Sequence, residues 1–254
     1  MHRLNQSLLF ALVFREGVGV QLKIFCDFDG TVSQNDVGNL LFETLGNGES
    51  ESIVQLWRDG KISSYECLRR ECETVPPLKD GELESFVESQ ALDPTFAELV
   101  RFCKGRGIEL TILSDGLDYY IDYLLKREGI TDVPFFANHL ELTMDRRLVV
   151  SFPYTDEECS VCANCKRNHM LAGSGEDDII VFIGDGKSDQ CAVQYANVIF
   201  AKRALAEYCN QERIPFYPFQ TLHDVVEQLE NVLARKRLRK RWRAELNRRK
   251  VFQR

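Results

Sequence analysis

Residues 22–32 read LKIFCDFDGTV. Leu22 to Cys26 is a short apolar run rich in β-favouring side chains, halted by two aspartates one residue apart and then by Gly30 and Thr31. The run is a buried strand that delivers Asp27 and Asp29 at its carboxyl end, the edge of an open parallel sheet where ligands bind. Two carboxylates so close repel each other, and burial worsens the cost unless a cation lies between them or one keeps its proton. A hard divalent ion such as magnesium answers that requirement. Taken alone, Asp-Phe-Asp-Gly is also an ordinary polar turn, so the rest of the chain has to decide.

The 254 residues allow one large domain or a core with a smaller unit. After Thr31 the apolar spacing turns helical: Val37 to Leu45, Ile53 to Trp57, Tyr65 to Val75 and Leu83 to Val87 form short stripes separated by Gly46, Gly48, Gly60 and Pro76-Pro77. About 60 residues of short helices thus interrupt an α/β chain directly after its first strand, as a lid would. The pattern then resumes. Asp93-Pro94 opens a helix to about Cys103, and Ile108 to Leu113 is a second parallel strand ending in Ser114, Asp115 and Gly116. A helix from Leu117 to about Arg127 follows, then a hairpin of Phe135 to Thr143 and Leu148 to Phe152. Asp177 to Gly186 is a third strand, the most apolar of all, and it too ends in a carboxylate, Asp185. The same reading predicts a helix over Ser188 to Ala196, a strand over Val198 to Ala201, a helix over Leu205 to Gln211, and one long final helix from Leu222 to about Leu246.

Three strand ends therefore carry DFDGT (Asp27 to Thr31), LSDG (Leu113 to Gly116) and GDGKSD (Gly184 to Asp189), with Lys166 between the last two. In this order the motifs resemble the haloacid dehalogenase superfamily of phosphohydrolases, over residues 22 to about 230. The helical insertion is similar to its C1-type cap. The resemblance implies an α/β fold with a Rossmann-like parallel-sheet core (22–34 and 93–234), a helical cap (35–92), an N-terminal extension (1–21) and a basic C-terminal segment (235–254). It also implies a Mg2+-dependent phosphomonoesterase. Asp27 would attack phosphorus to form an aspartyl-phosphate, and Asp29 would protonate the leaving group and then activate water. Magnesium would be held by Asp27, the backbone carbonyl of Asp29 and Asp185, with Gly184 and Asp189 supporting the loop. Ser114 and Lys166 would grip the phosphoryl oxygens, assisted by Thr31 and Gly116.

The stretch CSVCANCK (Cys159 to Lys166), with CDFDGTVSQND and Phe200 to Pro218, resembles the 2-hydroxy-3-keto-5-methylthiopentenyl-1-phosphate phosphatases of methionine salvage. The same branch includes phosphoserine phosphatases, where a glutamate nine residues after the nucleophile helps read the amino acid; Asp36 stands there and is one methylene shorter. Other small phosphoesters, phosphoserine and phosphocholine among them, remain the second reading of the substrate. The Gly-Lys-Ser within GDGKSD is not an ATP loop, because Val181 occupies the position where a Walker A motif has glycine.

Cys159, Cys162, Cys165 and His169 have zinc-like spacing, with thiols lining a loop as the alternative. The nine cysteines otherwise suit reduced thiols in the cytoplasm, where the protein is placed. Ser7 to Phe14, after His2 and Arg3, resembles a signal peptide only faintly and reads as an extra N-terminal turn; no run approaches the ~20 apolar residues of a membrane span. The net charge of −7 hides an asymmetry: residues 1–234 carry −17, while Arg235 to Arg254 carry +10. Leu238, Trp242 and Leu246 stripe that basic segment, which would either bind an anionic surface, nucleic acid or the acidic body of another subunit, or be a solvated terminal helix. It contains no nucleic-acid module, so a small phosphorylated metabolite is the expected partner and no nucleic acid is. A homodimer stays open. The rival from another class is a non-catalytic binding protein on the same fold.

Overall fold

The computed structural model describes residues 21–156, 161–234 and 240–252. The N-terminal extension, Cys159 and Leu238 lie outside them. A seven-stranded sheet runs in the order β4-β3-β2-β1-β5-β6-β7. Its strands are β1 (Leu22–Cys26), β2 (Glu109–Leu117), β3 (Phe135–Leu142), β4 (Leu148–Ser151), β5 (Ile179–Gly184), β6 (Val198–Ala201) and β7 (Tyr217–Pro218). All neighbours are parallel except the β3–β4 hairpin at one edge.

β1 lies between β2 and β5, with Cys26 opposite both Ile112 and Ile183. The chain builds β2 and β3 on one side of β1, then β5, β6 and β7 on the other. The strand order therefore reverses at β1/β5, which opens a crevice at the carboxyl ends of these strands. Both faces are covered, which is why β1 and β5 are continuous apolar runs. Alternation divides them cleanly: Ile24, Cys26, Val181 and Ile183 join one apolar core, and Phe25, Ile180 and Phe182 join the other.

Between β1 and β2 the chain forms α1 (Val37–Leu45), α2 (Ser50–Arg58), α3 (Ser64–Thr74), α4 (Glu82–Glu88) and α5 (Phe96–Arg106). Asp36 and Ser63 cap α1 and α3 through their side chains. The links into and out of α1–α4 run side by side, joined by Gln34 N–H to Ala91 O (3.0 Å) and Asp93 N–H to Val32 O (2.8 Å). Leu41, Phe42, Leu68, Leu83 and Phe86 extend the first core into these helices. The remaining helices are α6 (Asp118–Arg127), α7 (Lys166–Ala172), α8 (Arg203–Gln211), α9 (Leu222–Leu233) and α10 (Trp242–Phe252).

Three expectations need correction. Residues 188–196 form two single 3-10 turns (Lys187–Asp189 and Ala192–Gln194) in place of a helix. The cause is Asp189, whose carboxylate folds back to accept the Asp185 and Gly186 amides at 3.0 and 3.1 Å and tightens the chain. The long last helix is two helices, because α10 returns to the core. Arg241 donates to Ala196 O (2.9 Å) and Val193 O, and Arg248, 4 % exposed, donates to Asp178 O. The basic segment is thus not a freely solvated helix over its described part, and its packed face is Ala244 and Arg248, whereas Trp242 of the expected stripe is 69 % exposed. Among the described residues no helix is long and apolar enough to cross a membrane.

Candidate active site

Asp27 and Asp185 directly follow β1 and β5, and Ser114 lies near the carboxyl end of β2, between β1 and β3, so the register of the sheet brings the three together. The Asp27 amide continues the ladder to Ile183 O at 2.8 Å, which fixes the carboxylate over the β1/β5 crevice. The next five residues, Phe28–Val32, form one π-type turn whose sharp bend is Gly30, at φ 72°. A Cβ there would also sit 2.5 Å from Asp185 Oδ2, so the motif needs glycine twice over.

Lys166, the first residue of α7, is 3 % exposed and reaches Asp27 Oδ1 at 2.5 Å, Asp189 Oδ1 at 2.6 Å and Ser188 Oγ at 3.2 Å. Burial opposes its charge, but Asp189 and Asp27 outweigh burial and hold the ammonium protonated well above its usual range. Asp27 is pushed the other way from an ordinary carboxylate: burial and the neighbouring Asp189 raise its pKa, and Lys166 restrains the rise. Asp185 is raised by burial and by Asp189, and is held by Arg203 Nη1 at 2.9 Å from Oδ2. Thr31 Oγ1 stands 3.5 Å from Asp185 Oδ1. Gly184 lies directly against the Asp189 carboxylate, leaving no room for a Cβ.

Asp27, Asp185 and Asp189 each offer an oxygen within 4.8 Å of the others. Three buried carboxylates are ion-paired with two cations, Lys166 and Arg203, so the cluster either keeps a proton or takes a further positive charge. A hard divalent cation with oxygen ligands fits the latter. The Asp29 carboxylate is not part of this cluster.

Asp29 sits apart, in a different environment. Its Oδ1 accepts the amides of Val37 (3.0 Å) and Gly38 (3.3 Å) at the start of α1, and its Oδ2 accepts from Ser114 Oγ (3.1 Å) and Tyr120 OH (2.8 Å). Burial, with a smaller push from Asp36, raises its pKa to about 7, against the pull of these hydrogen bonds. Gly116 closes the same corner, its amide donating to Ser114 Oγ at 2.9 Å. Asp36 itself is exposed; its carboxylate is occupied as the cap of α1, accepting Asn39 N–H at 2.9 Å.

The raised Asp29 pKa has a consequence for stability. A carboxyl whose folded pKa lies above its unfolded value of about 4 favours folding while protonated, and that contribution is lost as pH climbs from about 4 through about 7. Asp29→Asn keeps an acceptor for the α1 amides and removes the charge. It is expected to stabilise the metal-free protein by roughly 2–4 kcal/mol at pH 8 and by nothing below pH 4, as followed by urea unfolding at both pH values. An equal effect at the two pH values would refute the assignment.

Sequence reasoning did not single out Tyr120, Arg203 or Asn164. Tyr120 is fully buried in the first turn of α6, and nothing in the sequence aims its hydroxyl at Asp29. Arg203 has φ 49°, a left-handed conformation that bends its side chain back to Asp185. Asn164 bridges Ser114 O and Phe136 O with its amide (2.7 and 2.9 Å) and takes His169 Nε2 on its oxygen (2.6 Å). That last bond, with the Phe136 ring stacked on the imidazole, bears on the zinc-like spacing. His169 is engaged elsewhere, and Cys162, Cys165 and His169 form no metal-holding group among the described residues.

The Putative Phosphatase family model matches residues 22–209, from β1 into α8. The chain belongs to this family. Proteins of Brevibacillus brevis and Bacillus mycoides, both named 2-hydroxy-3-keto-5-methylthiopentenyl-1-phosphate phosphatase, are 28% identical over 215 residues and 29% over 217; the matches cover 84% of this chain and 96% and 98% of theirs. A phospho-aspartyl intermediate analogue of phosphoserine phosphatase superposes with a TM-score of 0.64 at 17% identity, covering 83% of this chain and 99% of that one. A phosphoserine phosphohydrolase-like protein of Francisella tularensis gives 0.64 at 21%, covering 82% and 100%. The fold expected from DFDGT, LSDG and GDGKSD is therefore the fold present, and the chain is a phosphoric monoester hydrolase.

Proposed function

We propose that this phosphatase is magnesium-dependent and hydrolyses a small phosphorylated metabolite in the cytoplasm through an aspartyl-phosphate on Asp27. The observation that carries the reading is the separation of two carboxylates, two residues apart in sequence, into two chemical settings. Asp27 lies on Lys166 among the clustered acids, while Asp29 is held by amides and hydroxyls with a pKa of about 7. Two acids with environments this different suit a nucleophile and a proton-transfer group. Asp27, Asp185 and Asp189 would hold the cation, whose contribution is positive charge beside the phosphoryl oxygens.

The chain's own groups account for the rest. An Asp27 oxygen bonds to phosphorus as the bond to the leaving alkoxide breaks, and protonated Asp29 gives that oxygen its proton. Water then attacks phosphorus, the phosphorus–Asp27 bond breaks, and Asp29 takes the water's proton. Ser114 Oγ and Lys166 Nζ are the donors for the transferring oxygens. Because Ser114, Asp27 and Lys166 are all but fully buried, water is excluded while the site is closed.

For the substrate, the names of the relatives favour 2-hydroxy-3-keto-5-methylthiopentenyl-1-phosphate. Asp36 adds support against phosphoserine, since its carboxylate is spent on capping α1. The cytoplasmic assignment is supported by free, buried thiols at Cys26, Cys67, Cys72, Cys103 and Cys209. Phosphate release measured with and without magnesium, on the methylthiopentenyl phosphate, phosphoserine and phosphocholine, tests the reading. Selective turnover of the first is expected; broad turnover would remove the substrate assignment, and no turnover of any would remove the function.

A further inference from the structure

Two charged residues of the strand-end motifs have no part in this chemistry: Asp115 of LSDG and Lys187 of GDGKSD. Both reach the same short turn of the helical insertion. Lys187 Nζ lies 2.9 Å from Trp57 O and 2.6 Å from Arg58 O, and 5.1 Å from the centre of a Trp57 ring. Arg58 is the last residue of α2, so the ammonium takes the Arg58 carbonyl, shares the Trp57 carbonyl with the Gly60 amide (2.9 Å) and faces the negative end of the helix dipole. On the other side of the turn, Ser64, the first residue of α3, gives its hydroxyl to Asp115 Oδ2 and its amide to Val161 O (2.9 Å). Asp115 is fixed in turn by the Asn164 amide at 2.7 Å.

The turn between α2 and α3 is thus gripped from three core loops: those that carry Ser114, Lys166 and Asp185. Beneath it Asp27 is 4 % exposed, Lys166 3 %, and Ser114 and Asp189 not at all. Surface depressions occur at Pro218 to Gln228 and along Tyr119 to Arg127, and none of these residues lines either. With Asp27, Lys166 and Ser114 this deeply covered, opening of the grip would give a phosphate ester a way to Asp27.

We propose that Lys187 and Asp115 are positioning residues that together clasp the α2–α3 turn to the core, Lys187 being the half that releases. The asymmetry follows from setting. Lys187 is half-exposed and bonded to main-chain carbonyls that water can serve as well, whereas Asp115 is tied to Asn164 and to a helix N-terminus. Lys187 also stands between Asp185 and Asp189, on the turn that carries Asp189. Closing of the insertion and ordering of the acidic cluster therefore share one segment of chain. The kinetic arm of the test rests on the phosphomonoesterase reading; the exchange arm does not.

The experiment is amide hydrogen exchange and steady-state kinetics on Lys187→Met, which keeps the stem and removes the charge, with Lys187→Arg as the conservative control. Residues 50–64 are expected to exchange about tenfold faster in Lys187→Met, with β1 and β5 unchanged. The value of kcat/KM is expected to fall about tenfold, and Lys187→Arg to restore both. Ser64→Ala, which removes the other contact and leaves the Asp115 carboxylate in place, is expected to loosen the same amides. Wild-type exchange at 50–64 in Lys187→Met, or faster exchange throughout the sheet as well, overturns the clasp. Wild-type exchange in Ser64→Ala overturns its second point. Should the unaltered protein release phosphate from no substrate, the function falls and exchange alone decides the clasp.

Discussion

An Asp27→Asn protein is expected to fold, to bind magnesium at least about tenfold more weakly, and to lose turnover by about 10⁴-fold or more. The amide oxygen sits where the carboxylate oxygen sat, but it cannot carry a phosphoryl group as a mixed anhydride. Folding is spared for an electrostatic reason. Burial and Asp189 already push Asp27 toward protonation, so a neutral residue removes a repulsion while Lys166 keeps Asp189 as its partner at 2.6 Å. In the absence of metal the variant should therefore melt at the wild-type temperature or a few degrees above it. Phosphate release, titration calorimetry with magnesium and scanning calorimetry together check the claim. Wild-type turnover would remove Asp27 as nucleophile, and a lowered melting temperature would show that its charge is needed for folding.

The residues that were legible in the sequence are those whose chemistry is dictated by the end of a strand. Asp27, Ser114 and Asp185 each follow an apolar run, and three parallel runs ending in polar residues leave one edge on which they can meet. Lys166 needed the order of the motifs as well, since a lysine in a loop ordinarily stays in water. What stayed hidden depends on how the chain turns. Tyr120 reaches Asp29 because α6 starts directly after Leu117, and Arg203 reaches Asp185 because one residue takes a left-handed conformation. The break before α10 was hidden for a related reason: the helix docks through Arg241 and Arg248, which a hydrophobic pattern counts as solvent-facing. Likewise, apolar periodicity over 188–196 could not report that Asp189 turns inward and tightens the backbone.

Lys166→Met tests the opposite side of the balance. The methionine fills the lysine's space and leaves Asp27, Asp185 and Asp189 with Arg203 as the one cation whose bond to them is in place. Removing one partner of a buried ion pair costs about 3–5 kcal/mol, because the remaining charges stay desolvated. The loss should depend on pH in a defined direction. Lys166 restrains the rise in the Asp27 pKa, so its removal lets that pKa climb further. A raised carboxyl favours the folded state while protonated and is lost as pH rises through its folded value, so the destabilisation is expected to be largest at pH 8 and to shrink toward pH 5. Magnesium binding to the folded state should recover part of the stability at pH 8, by more in the variant than in the wild type, because the ion supplies the charge that was taken away. Activity is expected to fall with it, by about 10²-fold or more even where the protein is folded, since the proposed donor to the transferring oxygens is gone. Urea unfolding at pH 5 and pH 8, with and without magnesium, separates this from simple packing loss. A cavity or a misfit would cost the same at both pH values and would be indifferent to the metal.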